Sequence, residues 1–316
     1  MSRFGQGHGY MFAEGQLTLG VFFAIEAYSG SVPSMKGQVE LAQRAEALGF
    51  SALWVRDVPL HDPDFGDAGQ IFDPWVYLGF ITARTQRIAL ATGSIILPLR
   101  HPLHLAKAAA SVAELSAGRL VLGVASGDRP VEFPAFGKAL TERGEAFRET
   151  LDYFQRVLSE PFPRIDSPLG TLDGSAELLP KPASGRIPVL VTGNSQQPVE
   201  WIAQNADGWV MYPRPPGLQR QIVRDWRQAT EANGAGRFKP FAQSLYIDLV
   251  DDASASPVPI HLGYRLGRHA LRELLHSLRE IGVNHVAFNL KYGRRPAAEV
   301  LEELGQEIVP HFPARG

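Results

Sequence analysis

The sequence predicts a (β/α)8 barrel, and three observations lead there. Apolar runs of strand length alternate with amphipathic segments of helix length, and the alternation occurs eight times. The turn after the first strand, Glu26-Ala27-Tyr28-Ser29-Gly30, is not the Gly-rich turn that would mark an open doubly wound sheet. With 316 residues, 45% of them hydrophobic, the chain has the length and apolar content of one such unit, and residues 1–316 are read as a single domain.

The first strand is expected over 17–26. A helix follows over 35–48, where Val39, Leu41, Ala42, Ala45 and Leu48 form one apolar stripe before Gly49 ends it. The second strand, 51–57, reads Ser-Ala-Leu-Trp-Val-Arg-Asp. A long polar loop leads from it to Asp73-Pro74, a helix start with Pro in the first turn, and that helix runs to 84. Strands three to eight fall at 88–97, 120–125, 188–191, 209–212, 241–250 and 286–290. Their helices fall at 101–115, 143–159, 198–206, 217–232, 268–281 and 297–309. The segment 161–186 is too long and too rich in Pro and Gly for a plain connection, so it reads as an insertion after helix four. The segment 251–267 reads as a second long loop, after strand seven.

Composition narrows the function classes. Lys and Arg number 31 against 33 Asp and Glu, so no overall positive field exists to attract nucleic acid. The absence of cysteine removes disulfides, thiolate metal sites and cysteine nucleophiles. No apolar stretch approaches the roughly 18 residues of a membrane span, and a soluble cytoplasmic protein is expected. There is no Gly-x-Ser-x-Gly elbow, Walker A loop or His-Glu-x-x-His pattern, and no metal site is expected. The run His61 to Asp67 is faintly like a calcium loop but lacks the acidic ligands at its fifth and twelfth positions.

In a barrel of this class the working face lies at the C-terminal ends of the strands. The residues there are Arg56-Asp57, Ser94 through Arg100-His101, Ser126-Gly127-Asp128-Arg129, Thr192-Gly193-Asn194-Ser195, Tyr212-Pro213-Arg214 and Asn289 through Tyr292. Gly, Ser, Thr and Asn with scattered Arg and His suit a phosphorylated polar ligand better than a hydrolytic triad. The strand-to-helix turn at 192–198 offers amide donors to an anion, although Asn194 or Ser195 would also serve as an ordinary helix cap. Arg100 and His104 are candidate anion contacts at a second helix start. Lys291 stands where a Schiff-base lysine would sit, but surface lysines greatly outnumber catalytic ones.

The run from Ile88 to Arg129, IALATGSIILPLRHPLHLAKAAASVAELSAGRLVLGVASGDR, resembles the third and fourth βα units of the bacterial luciferase-like flavin monooxygenases. The likeness extends from Leu17 to about Pro310. It takes in Leu53-Trp54-Val55-Arg56-Asp57, Phe72-Asp73-Pro74, Arg143-Gly144-Glu145-Ala146-Phe147 and Ala206-Asp207-Gly208-Trp209.

That resemblance implies a TIM barrel binding FMN, or the deazaflavin F420, with the ring against a bulge on strand three. It puts a cis peptide at Gly93-Ser94 and the cofactor among Thr92, Gly93, Ser94, His104, Ser126, Gly127, Asp128, Gly193, Asn194 and Ser195. Within that set, the phosphate falls to Gly193, Asn194, Ser195 and His104. Asp57 is the implied catalytic residue, and Phe23, Arg56, Tyr212 and Arg214 the implied substrate contacts. Strand two departs from the luciferase pattern: the acid is kept, but Val58 stands where luciferase has His. The expected activity is therefore oxidation or reduction of a small organic substrate, with FMN-dependent monooxygenation by reduced flavin and O2 first. The alternatives are an F420-dependent dehydrogenase and a non-catalytic flavin-binding protein. No dinucleotide fingerprint is present, so the reductant NAD(P)H acts by diffusion or through a separate flavin reductase. A homodimer is the expected assembly.

Overall fold

The computed structural model describes residues 4–66, 68–234 and 236–314; Asp67, the last residue of the acidic loop, lies outside them. The barrel strands are β1 (Thr18–Phe22), β2 (Ala52–Val55), β3 (Ala89–Thr92), β4 (Leu120–Ala125), β5 (Val189–Thr192), β6 (Gly208–Met211), β7 (Phe241–Leu249) and β8 (His285–Asn289). Every neighbouring pair is parallel, and β8 pairs with β1, so the sheet closes. The surrounding helices are α1 (Gln38–Ala47), α2 (Pro74–Thr82), α3 (Pro102–Leu115), α4 (Arg143–Ser159), α5 (Val199–Asn205), α6 (Pro216–Asn233), α7 (Arg268–Glu280) and α8 (Ala297–Glu307). Among the described residues no helix is long and apolar enough to cross a membrane.

Period-two alternation sorts the strand residues into two cores. Leu19, Val21, Leu53, Val55, Leu90, Leu122, Val124, Val189, Val191, Val286 and Phe288 point outward and pack under the helices. Phe22, Ala52, Trp54, Ala89, Ala91, Val121, Leu190, Val210, Ala242 and Ala287 point inward. The small alanines leave room for Trp54. Its indole N–H donates to Nε2 of the fully buried His285 at 3.0 Å, while Nδ1 lies 2.8 Å from the Thr18 hydroxyl. An N–H donating to Nε2 fixes the proton on Nδ1, so this imidazole is neutral, and burial holds its pKa down to about 3.

A short helix, Gln6–Met11, closes the N-terminal mouth, with Met11 and Phe12 packed into the inner core. Its glycine content hides it from propensity reasoning. The glycines are required by contact: a Cβ on Gly5 or Gly7 would stand 2.3 Å from the Gly118 carbonyl oxygen or 2.2 Å from that of Arg119. With that end filled, the cavity lined by the strand ends opens toward the strand C-termini.

Strand three is shorter than expected. Its ladder with β4 stops at Ala91, resumes over Ile95–Ile96, and passes into a 3-10 turn at Leu97–Leu99. In the gap Thr92 Oγ1 donates to the Gly123 carbonyl at 2.7 Å and accepts from the Gly123 amide at 2.9 Å. The Gly93–Ser94 bond is cis, as are Phe23–Ala24 and Leu179–Pro180. The 161–186 insertion forms an antiparallel hairpin, Arg164–Ser167 with Gly170–Asp173, in a separate sheet outside the barrel. The loop after β7 is ordered more than expected: Val258–Ile260 and Gly263–Leu266 form a hairpin, and the second arm pairs parallel to β7.

Candidate active site

The inward parity of the strands, carried one or two residues past their ends, lines a cavity of about 460 Å³ at the C-terminal face. Phe22, Arg56, Gly93, Ala125, Thr192, Tyr212, Tyr246, Asn289 and Lys291 stand on that wall, each in register with inward residues earlier in its own strand. The structure brings together Arg56, Asp57, Gly93, Ser94, Ser126, Gly127, Asp128, Gly193, Asn194, Ser195 and Tyr212 of the expected residues.

Four others lie elsewhere. Phe23 has the outward parity of Val21 and packs against Tyr77 with ring centroids 4.9 Å apart, so Phe22 takes the wall in its place. Thr92 is fully buried, bridging β3 to β4. His104 is exposed on α3, its ring 6.0 Å from His101. Arg214 is exposed beyond β6, its amide donating to the Gln219 side chain at 3.0 Å.

The turn after β5 is the most specialised backbone of the site. Gly193, Ser195 and Gln196 have φ of +58°, +46° and +61°, a left-handed run that non-glycine residues rarely adopt. It is held from several sides. The Gly193 amide donates to the Val210 carbonyl at 2.8 Å, and Ser195 Oγ donates to the Thr192 carbonyl at 2.8 Å and accepts from the Ser126 amide at 3.2 Å. The Gln197 side chain donates to the Gly144 carbonyl at 2.8 Å and accepts from Arg148 Nε. Helix α5 starts at Val199 and has seven residues, so any donors for an anion here are the turn's own groups rather than a helix end. Facing the turn, Arg143 opens α4 and lines the cavity. Its Nη1 donates to the Leu140 carbonyl at 2.8 Å, while the buried Nε has no hydrogen-bond partner among the described residues. A left-handed turn facing an under-satisfied guanidinium suits an oxyanion such as a phosphate.

Asp57 reaches the cavity only at its edge. Its side chain is 1% exposed and takes a two-point pair from Arg100, Nη2 to Oδ1 at 2.7 Å and Nε to Oδ2 at 2.8 Å. The Ile96 amide adds a third bond at 3.2 Å. The carboxylate is committed to fixing the bulge after β3, and Arg100, a sequence candidate for anion contact, is committed to Asp57. Ser94 Oγ donates to Thr192 Oγ1 at 2.5 Å, tying the bulge to the end of β5.

Several wall residues escaped the sequence reading: Arg143, Ser244, Tyr246 and His261. Ser244 and Tyr246 were legible in principle as polar residues in phase with inward Ala242 on an apolar strand. His261 comes from the hairpin after β7 and is the one imidazole on the wall among the described residues. Behind Asp128 and Arg129, Glu132 is 1% exposed with Oε1 unpartnered among the described residues. Burial pushes its carboxyl up to about 7, against the opposing influence of the Arg129 charge and the Leu60 amide.

Residues 17–256 match the family described as luciferase-like monooxygenase. The chain is 34% identical over 197 residues to an uncharacterised protein of Mycobacterium tuberculosis, covering 57% of this chain and 69% of that one. It is 30% identical over 204 residues to the 4-hydroxyprotoasukamycin monooxygenase of Streptomyces nodosus subsp. asukaensis, covering 63% of this chain and 54% of that one. Among solved structures it is similar in fold to monooxygenase RslO1 from Streptomyces bottropensis, with a TM-score of 0.74 at 19% identity, over 93% of this chain and 99% of that one.

Proposed function

The chain belongs to the luciferase-like monooxygenase family, and on that premise we propose that it is an FMN-dependent monooxygenase acting on a small organic substrate. The observation that carries the cofactor is the convergence of the left-handed turn 193–196 and the Arg143 guanidinium on one end of the cavity. A flavin phosphate there would be held by Arg143 and by the turn, with Ser126 and Ser195 fixing the turn's shape. When bound, reduced flavin supplies the two electrons that activate O2.

The chain's own residues bind and orient. Asp57 and Arg100 hold the bulge 93–96 that floors the cavity, and Ser94 and Thr192 lock it to β5. The loop after β2 brings Phe65 and Gly66 to the cavity wall, with Phe65 under the Arg129 guanidinium, 4.8 Å from the ring centroid. Asp57 acts as a positioning residue in this account, and the phosphate contact passes from His104 to Arg143. The purified protein, loaded with cofactor in cells and analysed by absorbance and mass spectrometry, tests the reading. Co-purifying or tightly rebinding FMN supports it, F420 moves the protein to deazaflavin-dependent hydride transfer, and affinity for neither overturns it.

A further inference from the structure

The hairpin after β7 brings to the cavity two side chains that no barrel strand supplies. Ile260 pairs with Gly263, so His261 and Leu262 are the two residues of its tip, and both line the cavity. The tip is fixed by backbone contacts. Gly263 stands in register with Tyr246, and the Tyr246 amide donates to the Leu262 carbonyl at 3.1 Å. A Cβ on Gly263 would stand 1.8 Å from the Tyr246 carbonyl oxygen, so glycine is what lets this arm lie so close to β7. Leu262 has φ of +50°, at a turn position where Gly or Asn is usual. Strain of this kind persists where function uses the residues that it places.

Of the two tip residues, His261 carries chemistry. Its ring centroid lies 5.9 Å from that of Tyr246 and 6.0 Å from that of Tyr292, and the two tyrosine rings are 5.2 Å apart. Neither imidazole nitrogen hydrogen-bonds to another described residue, and the residue is exposed, within reach of water. The titratable and charged groups facing it are Tyr246 on β7, Tyr292 and Lys291 after β8, and Arg56 after β2. The Lys291 ammonium lies 5.5 Å from the Tyr292 centroid, and Arg56 Nη2 lies 3.4 Å from the Tyr246 hydroxyl. Among the side-chain types on this wall, imidazole is the one that ordinarily takes up and returns a proton near neutral pH. The rings beside it present flat apolar area.

Resting on the flavin reading, we propose that the substrate is a phenol and that His261 is the catalytic residue that takes its hydroxyl proton. The substrate ring lies against Tyr246 and Tyr292 with its hydroxyl at the imidazole. The phenol O–H bond breaks, an N–H bond forms on the imidazole, and the electron pair stays on the phenol oxygen, where it raises the electron density of the ring. One atom of O2 enters the ring in place of a hydrogen and the other leaves as water, with two electrons and two protons from reduced FMN. The displaced ring hydrogen moves as a proton to the phenolate oxygen, and the imidazolium returns its proton to the departing oxygen. A saturated alcohol holds its proton too tightly for an imidazole, and a ring without a hydroxyl offers none. A phenol, with a pKa of about 10 like the tyrosine side chain, is within its range.

The test is titration of 4-nitrophenol, whose ionisation is read by its own phenolate absorbance, into FMN-loaded protein, with 4-nitroanisole as the isostere that has no proton to give. It is run about one pH unit below the free probe's midpoint, where roughly one-tenth of the free probe is ionised. Bound 4-nitrophenol is expected to carry at least about fivefold more phenolate than free probe, and 4-nitroanisole to bind about tenfold more weakly, the factor that 1.4 kcal/mol represents. His261→Gln and His261→Asn, at an exposed hairpin tip, are expected to fold, as thermal melts check, to keep FMN, and to return the bound probe to the phenolate fraction of the free one. Equal binding of the two probes, no binding of either, bound 4-nitrophenol no more ionised than free, or a phenolate band that survives both substitutions overturns the proposal. Failure of FMN to load is a failure of the flavin reading. The same titration of unloaded protein reads the proton transfer without any flavin, so the two failures are told apart.

Discussion

A Cβ on Gly144 would stand 2.8 Å from the Cβ of Gln196, closer than side chains ordinarily approach. The first turn of α4 is thus seated directly on the left-handed turn after β5, and one contact sets the position of Arg143 relative to residues 193–196. Gly144→Ala should force the two apart. The change adds helix propensity of about 1 kcal/mol, so global stability should be nearly kept while FMN affinity falls by about tenfold. Isothermal titration beside a thermal melt checks this, and unchanged affinity would show that the spacing is not critical.

The Asp57–Arg100 pair gives a second test. Asp57→Asn takes from the half-buried Arg100 its buried two-point counter-charge and leaves the more exposed Asp73, 3.4 Å from Nη2, at an expected cost of about 2–3 kcal/mol. Replacing both partners, Asp57→Asn with Arg100→Met, should recover a large part of that loss. Urea unfolding of the two single variants and the double variant supplies the cycle. Additive losses would mean that Asp57 acts other than through Arg100.

Glu132 should make the protein less stable as pH rises. Its carboxyl has a pKa of about 7 in the fold against about 4.3 in an unfolded chain. The native state therefore binds the extra proton between those values, and stability present below the lower one is lost as pH climbs to the upper, by up to about 4 kcal/mol. Glu132→Gln should flatten that slope and be the more stable form at pH 8. Unfolding curves at pH 5, 6, 7 and 8 decide, and identical slopes for both proteins would count against a strained buried carboxyl.

His285 has the opposite sign. Held down to about 3 against an unfolded value of about 6.5, its neutral form stabilises the fold above the unfolded value and that contribution is lost as pH falls toward the folded one. At pH 5 the loss is about 2 kcal/mol. His285→Gln should reduce the acid sensitivity between pH 6.5 and 4. Burial also holds His8 down, to about 4, so part of the slope should persist. A variant with an unaltered acid limb would place the sensitivity in other groups.

The barrel was legible because each strand has few ways to satisfy its pattern: apolar residues alternate between inward and outward faces with period two from β1 to β8, the inward ones including alanines in β2, β3, β7 and β8. The turn 193–196, which we propose holds a phosphate, stands out in the sequence as a cluster of small polar residues at a strand end. The finer assignments depended on parity and reach. Phe22 and Phe23 are adjacent and chemically alike, and only the register of β1 distinguishes the wall residue from the packed one. Arg143 was read as the start of a helix because nothing local shows that α4 begins against the β5 turn. His261 is carried inward by a hairpin that pairs with β7, a tertiary event absent from the local pattern of a Pro- and Gly-containing loop.

The central claim is that the cavity holds a flavin by its phosphate, between Arg143 and residues 193–196. The direct measurement is the affinity of the unloaded protein for FMN and for riboflavin, which differ by that phosphate alone, in the wild type, Arg143→Gln and His104→Ala. The account predicts that FMN binds at least about 30-fold more tightly than riboflavin in the wild type, on the scale of one or two charge-assisted hydrogen bonds. It predicts that the preference shrinks about tenfold or more in Arg143→Gln and is unchanged in His104→Ala. Equal affinity for the two flavins, or a preference lost with His104 and kept without Arg143, would contradict it.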